Sequence, residues 1–397
     1  MKLSKTLAVC TVTAALGMGA ALSAAAADPI DPADLKVGII YIGDEQEGYS
    51  YAHMLGIEEM KQTLGLADDQ VISKFNIPED ESSYDAAVDL AEQGCQIIFA
   101  NSFSFEDYMI QAASEYPDVQ FCHATGYQAA SSGLDNMHNY FTSVYQSRYV
   151  SGVVAGMKLA ELYGEDTDAK IGYVGAYSYA EVISGYTAFY LGARSICPNI
   201  TMEVKYTGSW ADQALEKETA EALIADGCVL ISQHADTTGA AAGCEANQVY
   251  DVGYNVSMLD AAPNYALTSA SIKWAPYYTY AVSCMINGED IATDWCQGYE
   301  DGAVCITELG PQVAEGTQEK VDETIAAIKD GSLHVFDTSA FTVNGEQITT
   351  TATDDLADTY HGVEYISPDG YFMESEIQSA PAFSFIIDGI TELNQVY

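Results

Sequence analysis

The side chains best placed for recognition chemistry gather between Lys170 and Pro198. An apolar run ends at Gly175, a short turn carries Tyr177 and Tyr179, and Glu181 opens a segment with apolar residues at Val182, Tyr186, Phe189, Ala193 and Ile196. The first run reads as a buried parallel strand and the last as a helix. Ligands of open α/β sheets sit in the loops at the carboxyl ends of strands. A phosphate cradle needs glycines, free backbone N–H groups and often a Lys. Two tyrosines and a carboxylate suit instead a neutral or cationic planar ligand, stacked and hydrogen-bonded. Tyr49, Phe103 and Trp210 fall at or near other strand ends, as do the polar Ser102, Asp236 and Asn255. Each also has a plainer reading. Tyr49 and Tyr177 are two of 28 tyrosines, Phe103 could be core, and Trp210 could pack a hinge. Asp236 and Glu181 stand where helix starts favour a carboxylate, and Asn255 could simply end its strand.

The sequence offers little for catalysis. No Gly-x-Ser-x-Gly elbow occurs, and Asp44 and Glu45 stand alone after the first strand rather than in a metal-binding acidic cluster. His53, His123 and His234 lie on separate units, and there is no Cys-x-x-Cys pair, so neither metal nor cofactor is expected. A nucleoside-hydrolase-like enzyme remains as an alternative function.

The formal charge of −44 repels nucleic acid and anionic lipid. Amino-acid ligands usually require an Arg for their carboxylate, and Arg148 and Arg194 both fall inside helical patterns, away from strand ends. Residues 1–26 have a basic start at Lys2 and Lys5, an apolar stretch from Leu7 to Leu22, and small residues up to Ala27. This reads as a signal peptide cleaved near Ala27, and so as an exported protein in the periplasm or on the outer face of a bacterial cell. Cys10 is poorly placed for a lipid anchor. Eight cysteines follow the leader. Cys95 and Cys228 open buried-strand patterns, whereas Cys284, Cys296 and Cys305 are close enough for one bridge.

Strand and helix patterns alternate from Leu35 to Gly126, and the alternation restarts at Lys170 and runs to Tyr254. Two tandem α/β sets imply two lobes with a cleft between them. A helix over Ser147–Tyr163 carries Gly152 and Gly156 at a spacing that permits close packing. From about Leu333 the Thr-, Asp-, Gly- and Tyr-rich chain reads as β-hairpins and irregular structure.

Several stretches resemble the basic-membrane-protein family of ABC-transporter substrate-binding proteins: Tyr177 to Asn199, Ile97 to Phe103, Tyr116 to Gly126, Tyr149 to Gly156, Ser209 to Asp212, Gln233 to Asp236 and Trp274 to Tyr278. The likeness runs in register from about Leu35 to Asn287. It implies the type I periplasmic-binding-protein fold: two doubly wound parallel-sheet α/β lobes joined by a three-segment hinge. On that frame 35–141 with 269–290 form the N-terminal lobe, 142–268 the C-terminal lobe, and 291–397 an extension crossing back over them. The resemblance further implies a purine nucleoside or nucleobase as ligand, a membrane ABC permease as partner, and a monomer. In the family's nucleoside branch an Asp at the position of Asn255 and a Lys at the position of Lys273 hold the ribose. Retention of Lys273 favours a sugar, whereas Asn255 departs from the pattern. A purine, with two apolar faces and a polar edge, matches the aromatic and polar strand ends. A sugar, an amino acid or another signal ligand is the alternative.

Overall fold

The computed structural model describes residues 29–353 and 362–397, so the leader expected over 1–26 lies outside the described residues. In chain order the elements are β1 (Val37–Ile40), α1 (Gly48–Leu64), β2 (Val71–Lys74), α2 (Ser82–Glu92), β3 (Ile97–Ala100), α3 (Glu106–Glu115), β4 (Gln120–Ala124), α4 (Ala129–Ser132) and β5 (Met137–Thr142). There follow α5 (Val144–Tyr163), β6 (Lys170–Gly175), α6 (Ala180–Arg194), β7 (Thr201–Tyr206), α7 (Gln213–Ala225), β8 (Leu230–His234), α8 (Gly239–Asn247), β9 (Tyr250–Tyr254) and β10 (Ala266–Ile272). The chain continues through α9 (Ala275–Asn287), β11 (Asp294–Gln297), β12 (Val304–Ile306), α10 (Thr317–Lys329) and β13 (Ile390–Glu392).

The first sheet has the order β11-β5-β4-β3-β1-β2 and the second β12-β10-β9-β8-β6-β7-β13. All pairings are parallel except that of β12 with β10. Central strands such as β1 and β3 are buried at every position, which is why they read as continuous apolar runs. The chain passes between the sheets after β5, after β10 and after β11. These passages form the three-segment hinge. Gly152 of α5 and Gly192 of α6 let the two helices touch backbone to backbone: a Cβ on either would come within 2.0 Å of a carbonyl oxygen on the facing helix, Phe189 O or Tyr149 O.

The lobe boundaries differ from those read in the sequence. Ala266–Ile272 pairs with β9 and so lies in the second sheet, including the part from 269 onward assigned to the first lobe. Asp294–Gln297, assigned to the extension, is the edge strand of the first sheet beside β5. A buried seven-residue run finds full pairing only between β9 and β12, whereas the four residues of β11 complete an open edge.

Among its described residues the segment from about Leu333 forms isolated bridges and the short β13 rather than hairpins of regular strands. Isolated bridges join Asp337 to Tyr371, Val343 to Glu346 and Ile366 to Phe372, and most of the segment packs on the second lobe. Phe336 stacks on Tyr145 at 5.4 Å and on Phe383 at 4.3 Å. The buried Glu374 carboxylate accepts from Ser184 Oγ (2.5 Å) and from the N–H groups of Ala382 and Phe383 (both 2.9 Å). All eight cysteines after the leader are free thiols, so the bridge considered among Cys284, Cys296 and Cys305 is not formed.

Candidate functional site

The site grows from the strand ends on either side of the hinge. After β1 the chain turns into α1, whose N-terminus is capped by Glu47. Its carboxylate accepts from Tyr49 N (2.7 Å) and Ser50 N (2.8 Å). That cap fixes Tyr49 in the first helical turn, its ring edge-on to His53 at 4.5 Å and to Trp274 at 5.8 Å. After β3, Asn101 accepts from Ile42 N (2.9 Å) and donates to Ser50 Oγ (3.1 Å), tying two loops together. The next residue, Ser102, donates to Glu79 (2.6 Å), and Phe103 follows. In the second lobe the loop after β6 supplies Tyr177 and Tyr179 before Glu181. The loop after β7 supplies Trp210, and the end of β8 supplies His234 and Asp236.

Six of the sequence candidates line one cavity between the lobes: Tyr49, Ser102, Phe103, Glu181, Trp210 and Asp236. It holds about 340 Å³ of atom-free space, its mouth included. Trp210 and Ile42 also border an outer cleft of about 1100 Å³ on the same measure, where Tyr177 lies. Aromatic rings bridge the mouth. Phe103 of the first lobe meets Tyr179 of the second at 5.4 Å, Tyr179 stacks on Tyr177 at 5.2 Å, and Tyr177 meets Trp210 at 5.2 Å. The lobes are closed on each other, with Gly48 N of α1 donating to Asp236 O at 2.7 Å. A Cβ at Gly48 would stand 3.0 Å from that oxygen, so the close approach requires glycine.

Two candidates stand elsewhere. Asn255, at φ 64°, lies behind the cavity wall and donates from Nδ2 to Asp236 Oδ1 (2.8 Å), so it orients Asp236 rather than facing the cavity itself. Lys273 is exposed on the passage after β10, where its N–H is bonded to Ala303 O at 2.8 Å, and it is absent from the cavity wall. The peptide turns there between sheets, which aims the side chain at solvent.

Sequence reading missed Tyr254 and His234 as wall residues and Arg148 beneath them. Arg148 is fully buried, stacks its guanidinium 3.5 Å from the Tyr254 ring centroid, and donates to Gln233 O at 2.7 Å. Its helical spacing gave no sign of this. Only the packing of α5 across the second sheet brings it to the strand end. It lies behind Tyr254 rather than in the cavity wall, and so does not offer a carboxylate ligand a direct partner.

The electrostatics of the cavity are acidic. Burial pushes Glu181 up to about 7, against the pull of the Arg148 charge. Burial, reinforced by Glu47, Glu216 and Glu181, raises Asp236 well above the usual carboxylate range, while its bond from Asn255 opposes the shift. Burial also raises Glu47 to about 7. His234, 3.4 Å from Glu181, is held well below its ordinary value by burial and then by Arg148, so it is neutral. Several buried polar atoms around the cavity have no hydrogen-bond partner: the hydroxyls of Tyr49 and Tyr254, Asn255 Oδ1 and His234 Nδ1. Aromatic faces, acceptor-rich carboxylates and unfilled donors enclose a small space, an arrangement for holding a compact polar ring.

Two parallel α/β lobes, three passages and an enclosed interlobe cavity define the class of type I solute-binding proteins. The chain belongs to the Bmp family, described as PnrA-like ABC transporter substrate-binding proteins, whose profile matches residues 36–335. It is 32% identical to a purine-binding protein of Brucella abortus over 305 residues, 76% of this chain and 83% of that protein. It is 29% identical to a putative ABC transporter glucose-binding protein of Haloferax volcanii over 79% of this chain and 77% of that one. Among solved structures, a solute-binding protein of an ABC transporter system from Conexibacter woesei aligns with a TM-score of 0.61 at 21% identity, over 76% of this chain and 98% of that chain. The family is one of solute-binding proteins rather than enzymes. Such proteins work outside the cytoplasm and hand a small molecule to a membrane permease.

Proposed function

We propose that the cavity captures a purine, and a free base in preference to its nucleoside, for import through an ABC permease, with the chain acting as an exported monomer. The observation that carries this reading is the pairing of aromatic walls from both lobes, Tyr49 and Phe103 with Trp210 and Tyr254, with two carboxylates that retain unfilled acceptor positions. A purine's N–H edge donates to such carboxylates while its faces pack on the rings. The small free space and the outward position of Lys273 support a base over a nucleoside. The purine-binding relative points the same way. Ligand bridging the lobes would favour the closed state that Gly48 and Asp236 hold together.

A sugar is the second reading, favoured by the glucose-binding name of the Haloferax relative. A thermal-shift panel on protein refolded free of ligand separates the two. A ligand at a hundred times its Kd stabilises by about 2.7 kcal/mol. Adenine, guanine or hypoxanthine should raise Tm more than adenosine or inosine, and glucose should leave it unchanged. A shift with glucose and none with purines would replace the reading.

A further inference from the structure

The mouth of the cavity is walled in the second lobe by two loops, 176–179 after β6 and 207–211 after β7. Both are held from outside by the last stretch of the chain, which lies beyond the residues 36–335 that match the family profile. β13 joins the sheet in parallel beside β7, with Ile390 opposite Met202 and Glu392 opposite Val204. Glu392 accepts from the Tyr206 hydroxyl at 2.5 Å. Asn394 then brackets the Tyr206 backbone, accepting its N–H at 2.8 Å and donating to its carbonyl at 2.9 Å. Val396 brackets Ser178 in the same way: its carbonyl accepts from Ser178 N at 2.7 Å, and its own N–H donates to Ser178 Oγ at 2.9 Å. Its Cγ1 lies 3.2 Å from where a Cβ on Gly208 would stand, at a position whose φ of +75° favours glycine.

Ser178 sits between Tyr177 and Tyr179, the rings that close the mouth against Phe103 and Trp210. The bonds made by Asn394 and Val396 come after β13 has ended: Asn394 grips the last residue of β7, at the root of the second loop, and Val396 reaches the first loop itself at Ser178. On their inner side the two loops are bonded to each other and to β8, through Thr207 N to Gly175 O (2.8 Å), Gly208 N to Ala176 O (2.9 Å) and Ala176 N to His234 O (3.0 Å), and the bonds of Asn394 and Val396 hold this unit from its outer side.

We propose that Asn394 and Val396 are positioning residues of the ligand site, bracing the aromatic mouth in its closed arrangement and so slowing escape of the ligand. The proposal takes the interlobe cavity as the ligand site, as argued above. A brace acts after the ligand is enclosed, so its removal speeds dissociation and leaves association nearly unchanged.

The test compares the full chain with a chain ending at Leu393, which keeps β13, and with Asn394→Leu and Ser178→Ala. Amide exchange of the ligand-free proteins is measured first. Residues 176–179 and 207–211 should exchange roughly tenfold faster in the shortened chain, with β6 and β8 unchanged. Adenine dissociation, followed by tryptophan fluorescence, should accelerate by about the same factor while the association rate stays within about twofold. Ser178→Ala should add little in the shortened chain, because both changes remove the same bond. Wild-type exchange in both mouth loops of the shortened chain would overturn the proposal, as would faster exchange spread evenly over the second lobe. Failure of adenine to bind even the full chain would count against the purine reading alone, since the exchange comparison needs no ligand.

Discussion

Glu47 and Glu106 of the first lobe and Glu181 and Asp236 of the second stand near strand–helix junctions at the cleft, and their donors differ; Glu216 of the second lobe is tied to Thr237 Oγ1 (2.6 Å). In the first lobe Glu47 receives the N–H groups of Tyr49 and Ser50, and Glu106 receives Gln128 N and Asn139 Nδ2, both at 2.8 Å. Their acceptor positions are spent on the fold. Among the described residues, Asp236 of the second lobe receives only Asn255 Nδ2 on its carboxylate, and the Glu181 oxygens meet only the neutral His234 at 3.4 Å. A buried carboxylate left short of donors costs stability. It persists where something else supplies them, and both of these face the cavity. On the proposed reading Glu47 and Glu106 are fastenings, whereas Glu181 and Asp236 are the recognition groups.

The largest effect should come from the second lobe. Asp236→Ala should weaken purine binding by about 1–3 kcal/mol, the scale of leaving a buried hydrogen-bonding group of the ligand without its partner. Glu47→Gln should instead lower fold stability by about 1 kcal/mol through the helix cap, with little change in affinity. Calorimetry and denaturant unfolding on both variants separate the two roles, and the reverse pattern would break the comparison.

A pH profile sharpens it. The folded protein raises Glu181 from 4.5 to about 7. Its neutral form is the one burial tolerates, so its stabilising contribution is complete below about pH 4.5 and is lost as pH climbs through about 7. Relative to Glu181→Gln, the ligand-free wild type should lose up to about 3 kcal/mol between those limits. Parallel stability curves for the two proteins would remove the recognition role for this acid.

Stacking comes next. Trp210→Ala and Tyr49→Ala should each weaken binding by about 1–3 kcal/mol, and unchanged isotherms for both would discard the aromatic walls. The smallest effect belongs to Lys273→Ala, expected below about 0.5 kcal/mol in both affinity and stability because the side chain is exposed. A loss specific to nucleosides would restore the ribose role that resemblance had suggested.

The alternation of strand and helix was legible because central parallel strands such as β1 and β3 are apolar runs and helices keep their period. Tyr49, Phe103, Glu181, Trp210 and Asp236 were legible as cavity-lining residues because they follow β1, β3, β6, β7 and β8, whose carboxyl ends open on the other lobe. What stayed hidden depends on packing between distant segments. Arg148 looks like an ordinary helical residue until α5 crosses the second sheet. Lys273 was placed by likeness alone, and the passage between sheets turns it outward. The edge strands β11, β12 and β13 span three or four residues each and carry no alternation to detect. The brace by Asn394 and Val396 joins residues some two hundred positions apart, a pairing no local pattern can signal.

The most direct measurement is a crystal structure of the protein stripped of ligand and then soaked or co-crystallised with adenine. The purine should lie in the interlobe cavity with at least one N–H within hydrogen-bonding distance of Asp236 or Glu181 and an aromatic wall against its face. Adenine seated only in the outer cleft, or bound with its ring edge turned away from both carboxylates, would contradict the division of labour between the lobes.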